Sequence, residues 1–169
     1  VPMAAYYCPG EGPEKIKKLH EDWNAQFAAP RRSRWRPHDN SRDPDRPIRV
    51  GLVSADFLKH PVGYFTQGLL TAQRPEDITY VCYSNRKDGD DLTPLLRRAA
   101  DDWIDVWALD DDALVNQVHN DMIDVLIDLS GHSSGNRLLT FASKPAPVQA
   151  TWAGYMGTTG VAAIDYLIA

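Results

Sequence analysis

Short hydrophobic runs alternate along this chain with segments in which apolar side chains recur every three or four positions. The runs are rich in β-branched and aromatic residues and predict strands at residues 48–54, 78–84, 104–107, 123–129, 148–152 and 164–168. The longer spacing predicts helices over about 62–72, 92–100, 111–121 and 137–143. Strands that alternate with helices form βαβ units. The pattern therefore predicts an α/β fold, a Rossmann-like three-layer αβα domain with a mainly parallel sheet, over residues 48–169.

The first 47 residues follow a different pattern. Residues 13–27 predict an amphipathic helix, with Pro13 in its first turn. Its apolar stripe consists of Ile16, Leu19, Trp23 and Phe27. The predicted organisation is a helix and linker over residues 1–47, followed by the α/β lobe.

Residues 29–47 are rich in proline, arginine and aspartate. This composition favours a solvated connector, in which Asp39, Asp43 and Asp45 are the counter-charges of the arginines. A phosphate or RNA contact by the arginines is the alternative. The first residue is valine and the chain stops directly after a predicted strand, so we expect a piece of a longer protein.

Composition narrows the class of protein. The net charge of −5 argues against a general nucleic-acid binder. The sequence contains no uninterrupted apolar stretch of about 18 residues, so no membrane span is expected, and no secretory leader is recognisable. Cys8 and Cys82 are too few for a disulfide framework. These features predict a cytoplasmic protein.

Candidate chemistry collects where predicted strands end. His60 follows the first strand, His132 follows the fourth, and the glycine-rich segment Gly154–Gly160 follows the fifth. Ligands of open parallel α/β sheets bind just beyond the carboxyl ends of the strands. A histidine there can exchange a proton with a hydroxyl, and glycines let a ligand approach the backbone. The alternative for each is a loop hydrogen bond or a flexible turn.

Three alternative kinds of site are not favoured by the sequence. The turn after the first strand lacks the glycines of a dinucleotide-binding fingerprint. Residues 131–135 match a nucleophile elbow, but the only acid after Ser133 is Asp165, and no histidine follows. The Asp-x-Asp segments at 88–90 and 110–112 precede helices, so we interpret them as helix caps rather than metal ligands. Structural or solvated roles are expected for His20, on the polar side of its helix, His38 and His119.

Four segments, in order along residues 48–169, resemble the O-linked N-acetylglucosamine transferases, in particular the bacterial, tetratricopeptide-linked and SPINDLY-like branch. The first is Val53-Ser54-Ala55-Asp56-Phe57 with His60-Pro61-Val62-Gly63-Tyr64-Phe65, and the second is Ile127-Asp128-Leu129-Ser130-Gly131-His132 with Gly135-Asn136-Arg137. The third runs from Phe141 to Gly160 and contains Phe141-Ala142, Pro145-Ala146-Pro147-Val148-Gln149, Thr151-Trp152, Gly154-Tyr155 and Gly157-Thr158-Thr159-Gly160. The fourth is Ile164-Asp165-Tyr166-Leu167-Ile168.

The resemblance implies the N-terminal lobe of a two-lobed GT-B glycosyltransferase, with helical repeats upstream and a nucleotide-binding lobe downstream. It implies inverting, metal-independent transfer of N-acetylglucosamine from UDP-GlcNAc to Ser or Thr of an acceptor protein. No cofactor is implied. SPINDLY-like relatives leave fucose or another donor sugar open, and this lobe alone is expected to be inactive.

The resemblance also implies roles for individual residues. His60 matches the active-site histidine, either as a base or as a polarising or positioning group. The substrate-binding residues implied are His132, Gly154, Met156, Gly157 and Thr158. The family usually has proline where this chain has Met156, which bears on the rigidity of the sugar loop and on donor choice. A non-catalytic protein-interaction module that retains the lobe is the alternative function.

Overall fold

A central parallel sheet organises the computed structural model, which describes residues 2–10, 12–73 and 75–169. The strand order is β3-β2-β1-β4-β5-β6, and every neighbouring pair in this sheet is parallel. The strands are β1 (Ile48–Ser54), β2 (Ile78–Ser84), β3 (Asp102–Asp105), β4 (Val125–Asp128), β5 (Val148–Trp152) and β6 (Tyr166–Ile168). The predicted α/β fold with a parallel sheet is confirmed.

Helices connect most of these strands. They are α1 (Pro2–Ala5), α2 (Pro13–Trp23), α3 (Pro61–Thr71), α4 (Thr93–Ala99), α5 (Asp111–Asn120) and α6 (Leu138–Ala142). In the described part of the chain, no helix is both long and apolar enough to cross a membrane.

Two hydrophobic clusters fill the two faces of the sheet. Successive residues of a strand point to opposite faces, and β2 shows this directly. Cys82 packs with Leu52 and Leu96 in the first cluster, whereas Tyr83 packs with Leu114 in the second. Both faces of the central strands are therefore buried from solvent, as the continuous apolar runs in the sequence predict.

Three of the six strands have the predicted boundaries. The bounds of β1, β2 and β5 are those predicted, whereas β3 lies two residues earlier and β4 is shorter at both ends. Val106 and Ile123, which extended the predicted strands, are buried in the core just outside the hydrogen-bonded ladders. Burial therefore explains why the apolar pattern extends past the strands at Val106 and Ile123.

The N-terminal helix departs from its predicted pattern after Trp23. A π-helical turn (Asn24–Ala28) follows α2, and a 3₁₀ segment (Ala29–Arg34) follows that turn. The wider π turn shifts the periodicity, so Phe27 is 45% exposed and Ala28 is buried. The prediction that the apolar stripe extends to Phe27 is therefore wrong.

The predicted counter-charges of the arginine-rich linker are also wrong. Arg31 and Arg34 pair with Asp112 on α5, and Arg46 pairs with Asp124 ahead of β4. These partners lie 78–81 residues away in sequence, whereas the prediction chose acids inside the linker. The linker is consequently held against the α/β lobe at both of its ends.

Candidate active site at the carboxyl edge of the sheet

Three loops lie side by side where β1, β4 and β5 end. β4 pairs with β1 on one side and with β5 on the other, so the loops that follow these strands are neighbours. His60 lies in the first loop and His132 in the second. The third, which we call the glycine loop, comprises residues 153–160. The topology thus places the three predicted segments at one edge of the sheet, where ligands of such folds bind.

His60 caps helix α3 with its own side chain. Its Nδ1 accepts a hydrogen bond of 3.3 Å from the backbone N–H of Val62, and its side chain is 45% exposed. A neutral imidazole carries one proton, so an accepting Nδ1 leaves that proton on Nε2. His60 therefore presents an N–H donor beside the first loop.

Gly63 allows the close contact that fixes this cap. A Cβ on Gly63 would lie 2.0 Å from the carbonyl oxygen of Leu58 and 3.1 Å from that of Asp56. The first turn of α3 is thus packed directly on the backbone of the preceding loop. Only a residue without a Cβ fits here, and the cap geometry of His60 depends on that contact.

Asp128 organises the loop that follows β4, and the sequence analysis gave it no role of its own. Its carboxylate accepts hydrogen bonds from the backbone N–H groups of Ser130 (3.1 Å) and Gly131 (2.9 Å) and from Thr151 Oγ1 (2.8 Å). Burial raises the pKa of Asp128 despite these bonds. The sequence feature that could have indicated this role is the position of an acidic residue at the end of an apolar strand.

His132 lies beneath the glycine loop. Its side chain is buried, and its Nε2–H donates a hydrogen bond of 2.7 Å to the carbonyl oxygen of Thr159. The ring centroids of Trp23 and His20 lie 4.8 and 5.0 Å from its own. Burial lowers the pKa of His132. The imidazole therefore supports the loop from the side of α2, and its assignment to substrate binding stays a prediction.

The glycine loop begins with a close backbone contact. A Cβ on Gly154 would lie 1.7 Å from the carbonyl oxygen of Leu129. Any residue other than glycine would therefore require the backbone to shift. A Cβ on Gly157 would lie 2.2 Å from the hydroxyl oxygen of Tyr6, at the end of a flexible side chain. Farther along the loop, Met156 and Thr158 are exposed. The loop therefore combines a fixed backbone with an accessible tip.

An apolar groove of about 380 Å³ adjoins the glycine loop. Phe65 of α3 and Trp152 of β5 form one wall, with ring centroids 6.4 Å apart, and Met156 and Leu167 contribute to the rest. Because α3 starts directly after His60, this contact links the His60 loop to the glycine loop.

The segment at 110–112 caps its helix, as predicted, whereas the prediction that the segment at 88–90 caps a helix is wrong, because α4 begins without a side-chain cap. Asp110 accepts a hydrogen bond of 2.7 Å from the Ala113 N–H at the start of α5. Asp90 accepts bonds from the N–H groups of Leu92 and Lys59, at 2.9 and 2.7 Å. Across the described ranges, no cluster of three or more His, Cys, Asp or Glu residues could hold a metal ion.

The structure also shows where the other three histidines lie. His38 and His119 make backbone hydrogen bonds, to Lys144 and Pro37, as their structural interpretation requires. The prediction that His20 lies on the polar side of its helix is wrong, since only 1% of the residue is exposed. Its partner, Tyr155, is far away in sequence.

Comparison with known proteins extends these observations. The model of the family "Glycosyl transferase family 41" matches residues 27–169. A SPINDLY protein of Arabidopsis thaliana, named a probable UDP-N-acetylglucosamine–peptide N-acetylglucosaminyltransferase, is 37% identical over 161 residues, covering 92% of this chain and 17% of the relative. Its tomato counterpart is 35% identical and covers 98% of this chain and 18% of the relative.

A solved structure is also similar to this chain. A mutant O-GlcNAc transferase of Thermobaculum terrenum superposes with a TM-score of 0.90 and 40% sequence identity, covering 98% of this chain and 32% of that chain. This chain thus spans less than a fifth of the length of the curated relatives and about a third of the solved one. Because the family match takes in the whole sheet and all three loops, this chain belongs to glycosyl transferase family 41.

Proposed function

We propose that this chain is the N-terminal lobe of a GT-B enzyme that transfers N-acetylglucosamine from UDP-GlcNAc to Ser or Thr residues of proteins. The observation that carries the proposal is the juxtaposition of the His60 loop and the glycine loop at one sheet edge in a family 41 member. The names of the Arabidopsis and Thermobaculum relatives supply the donor and the type of acceptor.

The proposed reaction inverts the anomeric carbon without a metal ion. The acceptor hydroxyl oxygen forms a bond to C1 of the sugar while the bond from C1 to the UDP oxygen breaks. UDP leaves with the electron pair of that bond, and the hydroxyl proton passes to a base or to water. As an oxocarbenium-like transition state forms, hydrogen-bond donors that face the leaving oxygen stabilise the negative charge that develops on it.

In this proposal His60 acts as a hydrogen-bond donor through Nε2. Removal of a proton by Nε2 would require the other tautomer, in which Nδ1 carries the proton and no longer accepts from the Val62 N–H. The cap therefore favours positioning or polarising a substrate oxygen over general-base catalysis. The tip of the glycine loop, Met156–Thr158, would contact the donor sugar.

Two substitutions at His60 separate capping from chemistry, and both are made in the full-length parent protein. Asparagine is a good N-cap, so His60→Asn retains the acceptor for the Val62 N–H but lacks the imidazole. His60→Ala loses both and destabilises α3 by about 1 kcal/mol. We expect His60→Asn to keep the wild-type melting temperature and to reduce sugar transfer at least ~10²-fold. Wild-type turnover in this variant would refute the role of His60.

The non-catalytic alternative is tested with the same parent protein. Transfer of labelled sugar from UDP-GlcNAc to a protein acceptor would exclude an interaction module, whereas no transfer together with stable binding of a protein partner would favour it. We expect residues 1–169 alone to show no multiple turnover, because the site of a GT-B enzyme lies between two lobes. A catalytic chain of this length would overturn that expectation.

A further inference from the structure

His20 is the most deeply buried residue of α2, although it stands among charged neighbours. It is 1% exposed, while Lys17, Lys18, Glu21 and Asp22 on the same helix are exposed. The family match begins at residue 27, downstream of this helix. Burial of a polar side chain costs free energy unless its hydrogen bonds are satisfied. The structural role of His20 therefore follows from its hydrogen-bond partners.

Both ring nitrogens of His20 are engaged, and the partners fix the tautomer. Nδ1 lies 2.7 Å from the carbonyl oxygen of Ile16, which can only accept, so Nδ1 carries the proton. In the neutral ring, Nε2 is therefore an acceptor, and it receives the hydroxyl proton of Tyr155 at 2.8 Å. Tyr155 lies in the glycine loop, directly after Gly154. The imidazole thus connects the backbone of α2 to the loop.

The rest of the N-terminal segment follows the same surface of the loop. A Cβ on Gly160, whose φ is +70°, would lie 2.8 Å from the Cβ of His20. Just beyond the loop, the backbone N–H of Ala162 donates to Asn24 Oδ1 at 3.0 Å. Tyr6 packs edge-on against Tyr155, with ring centroids 5.9 Å apart. The loop therefore lies on a surface built from α2 and the residues that flank it.

We propose that His20 is a positioning residue of the glycine loop, which it holds through Tyr155 in the shape that receives the donor sugar. The proposal deepens the proposed function and rests on it for the identity of the ligand. His20 acts through Tyr155 and does not touch substrate. Loss of the bond should loosen the tip, Met156–Thr158, and weaken donor binding more than it slows the chemical step.

Two variants test the bond, and a third serves as the matched control. Tyr155→Phe removes only the hydroxyl, and His20→Phe keeps an aromatic ring but loses both hydrogen bonds. His38→Phe removes another histidine hydrogen bond between segments distant in sequence, from Nε2 to the Lys144 carbonyl at 2.9 Å, which lies outside the loop. Thermal unfolding of all three measures the general loss of stability. Tyr155→Phe keeps the test available if His20→Phe does not fold.

The first readout is amide hydrogen exchange, which needs no activity. We expect the backbone amides of residues 156–160 to exchange at least ~10-fold faster in Tyr155→Phe than in wild type, with the amides of β5 unchanged. His38→Phe should leave the loop amides at wild-type rates. Loop exchange in Tyr155→Phe that equals wild type would overturn the proposal, whatever the enzyme does.

The second readout is steady-state transfer by the full-length parent, with UDP-GlcNAc as the donor probe. We expect Tyr155→Phe to raise the donor KM at least ~5-fold, with kcat and the acceptor KM within twofold of wild type. An equal fall in kcat and kcat/KM would show that the bond acts on the chemical step and would refute positioning. Absence of transfer by the wild type would instead refute the proposed function, and the exchange result would still decide whether His20 holds the loop.

Discussion

Thr151 Oγ1 donates a hydrogen bond of 2.8 Å to Asp128 Oδ2, and this bond joins the ends of β4 and β5 beneath the candidate site. The two residues are register partners in the sheet. The same carboxylate accepts the N–H groups that shape the turn leading to His132. One buried acid therefore sets both the spacing of two strands and the direction of the second site loop.

Replacement of Asp128 by alanine should destabilise the protein by about 2 kcal/mol at pH 5, because three buried donors lose their acceptor. Burial raises the pKa of Asp128 above 3.8, so the folded state holds the proton more tightly than the unfolded state does. Its contribution to stability is complete below pH 3.8 and is lost as the pH rises through the native pKa. Urea unfolding of wild type and variant from pH 4 to 8 should show the difference narrowing. A difference that widens with pH would contradict this.

Asp124 should show the opposite dependence on pH. Burial opposes its ionisation, but hydrogen bonds from Arg46, the Arg49 N–H and Asn40 outweigh burial and lower the pKa of Asp124. Its contribution is therefore complete above pH 3.8 and is lost as the pH falls through the native pKa. We expect Asp124→Asn to cost about 2 kcal/mol at pH 7, and less below pH 3.8, in urea unfolding. An equal cost at pH 7 and pH 3 would disprove the assignment.

Gly154→Ala should destabilise the glycine loop by about 2 kcal/mol, since the new methyl group would overlap the Leu129 carbonyl oxygen. Gly68→Ala is the matched control, because Gly68 lies within α3 and its added Cβ would meet nothing within 4 Å. That variant should gain about 0.5–1 kcal/mol from helix propensity. Chemical denaturation of both checks the pair. A Gly154→Ala variant as stable as wild type would show that the close contact at Gly154 relaxes freely.

Cys82 should resist alkylation in the native protein, whereas Cys8 should react. Cys82 is fully buried in β2, and burial raises the pKa of its thiol to about 12. At pH 8 only about one in ten thousand such thiols is ionised, and the thiolate is the reactive form. Cys8 is exposed. Iodoacetamide labelling followed by peptide mass spectrometry should show Cys8 modified first, with Cys82 modified only after unfolding. Rapid native labelling of Cys82 would reveal local opening of β2.

The fold and the three site loops were predictable because they depend on local pattern. The apolar runs at Ile48–Ser54 and Ile78–Ser84 are long and bounded by polar residues, so the strands they form have the predicted limits. The topology then brings His60 and Gly154 to one edge without any knowledge of side-chain contacts. His60 was identified by its position after a strand, and its capping bond follows from the structure.

The remaining features depend on partners distant in sequence. Nothing around His20 indicates that Tyr155 completes its hydrogen bonding, and the acids beside Arg46 gave no reason to choose Asp124. The π turn after Trp23 is likewise invisible to a search for 3.6-residue periodicity, since it changes that period. Such contacts arise from tertiary packing, which a single sequence does not encode locally.

The position of α2 has a consequence for the limits of the folding unit. A protein cut at residue 27, where the family match begins, would lack His20, Asn24 and Trp23. Tyr155 and His132 would then face water at the surface where α2 had covered them. The Thermobaculum structure, by contrast, aligns with 98% of the chain. The family signature therefore leaves out a helix on which the glycine loop packs, and truncation at the signature would expose aromatic surface that α2 covers.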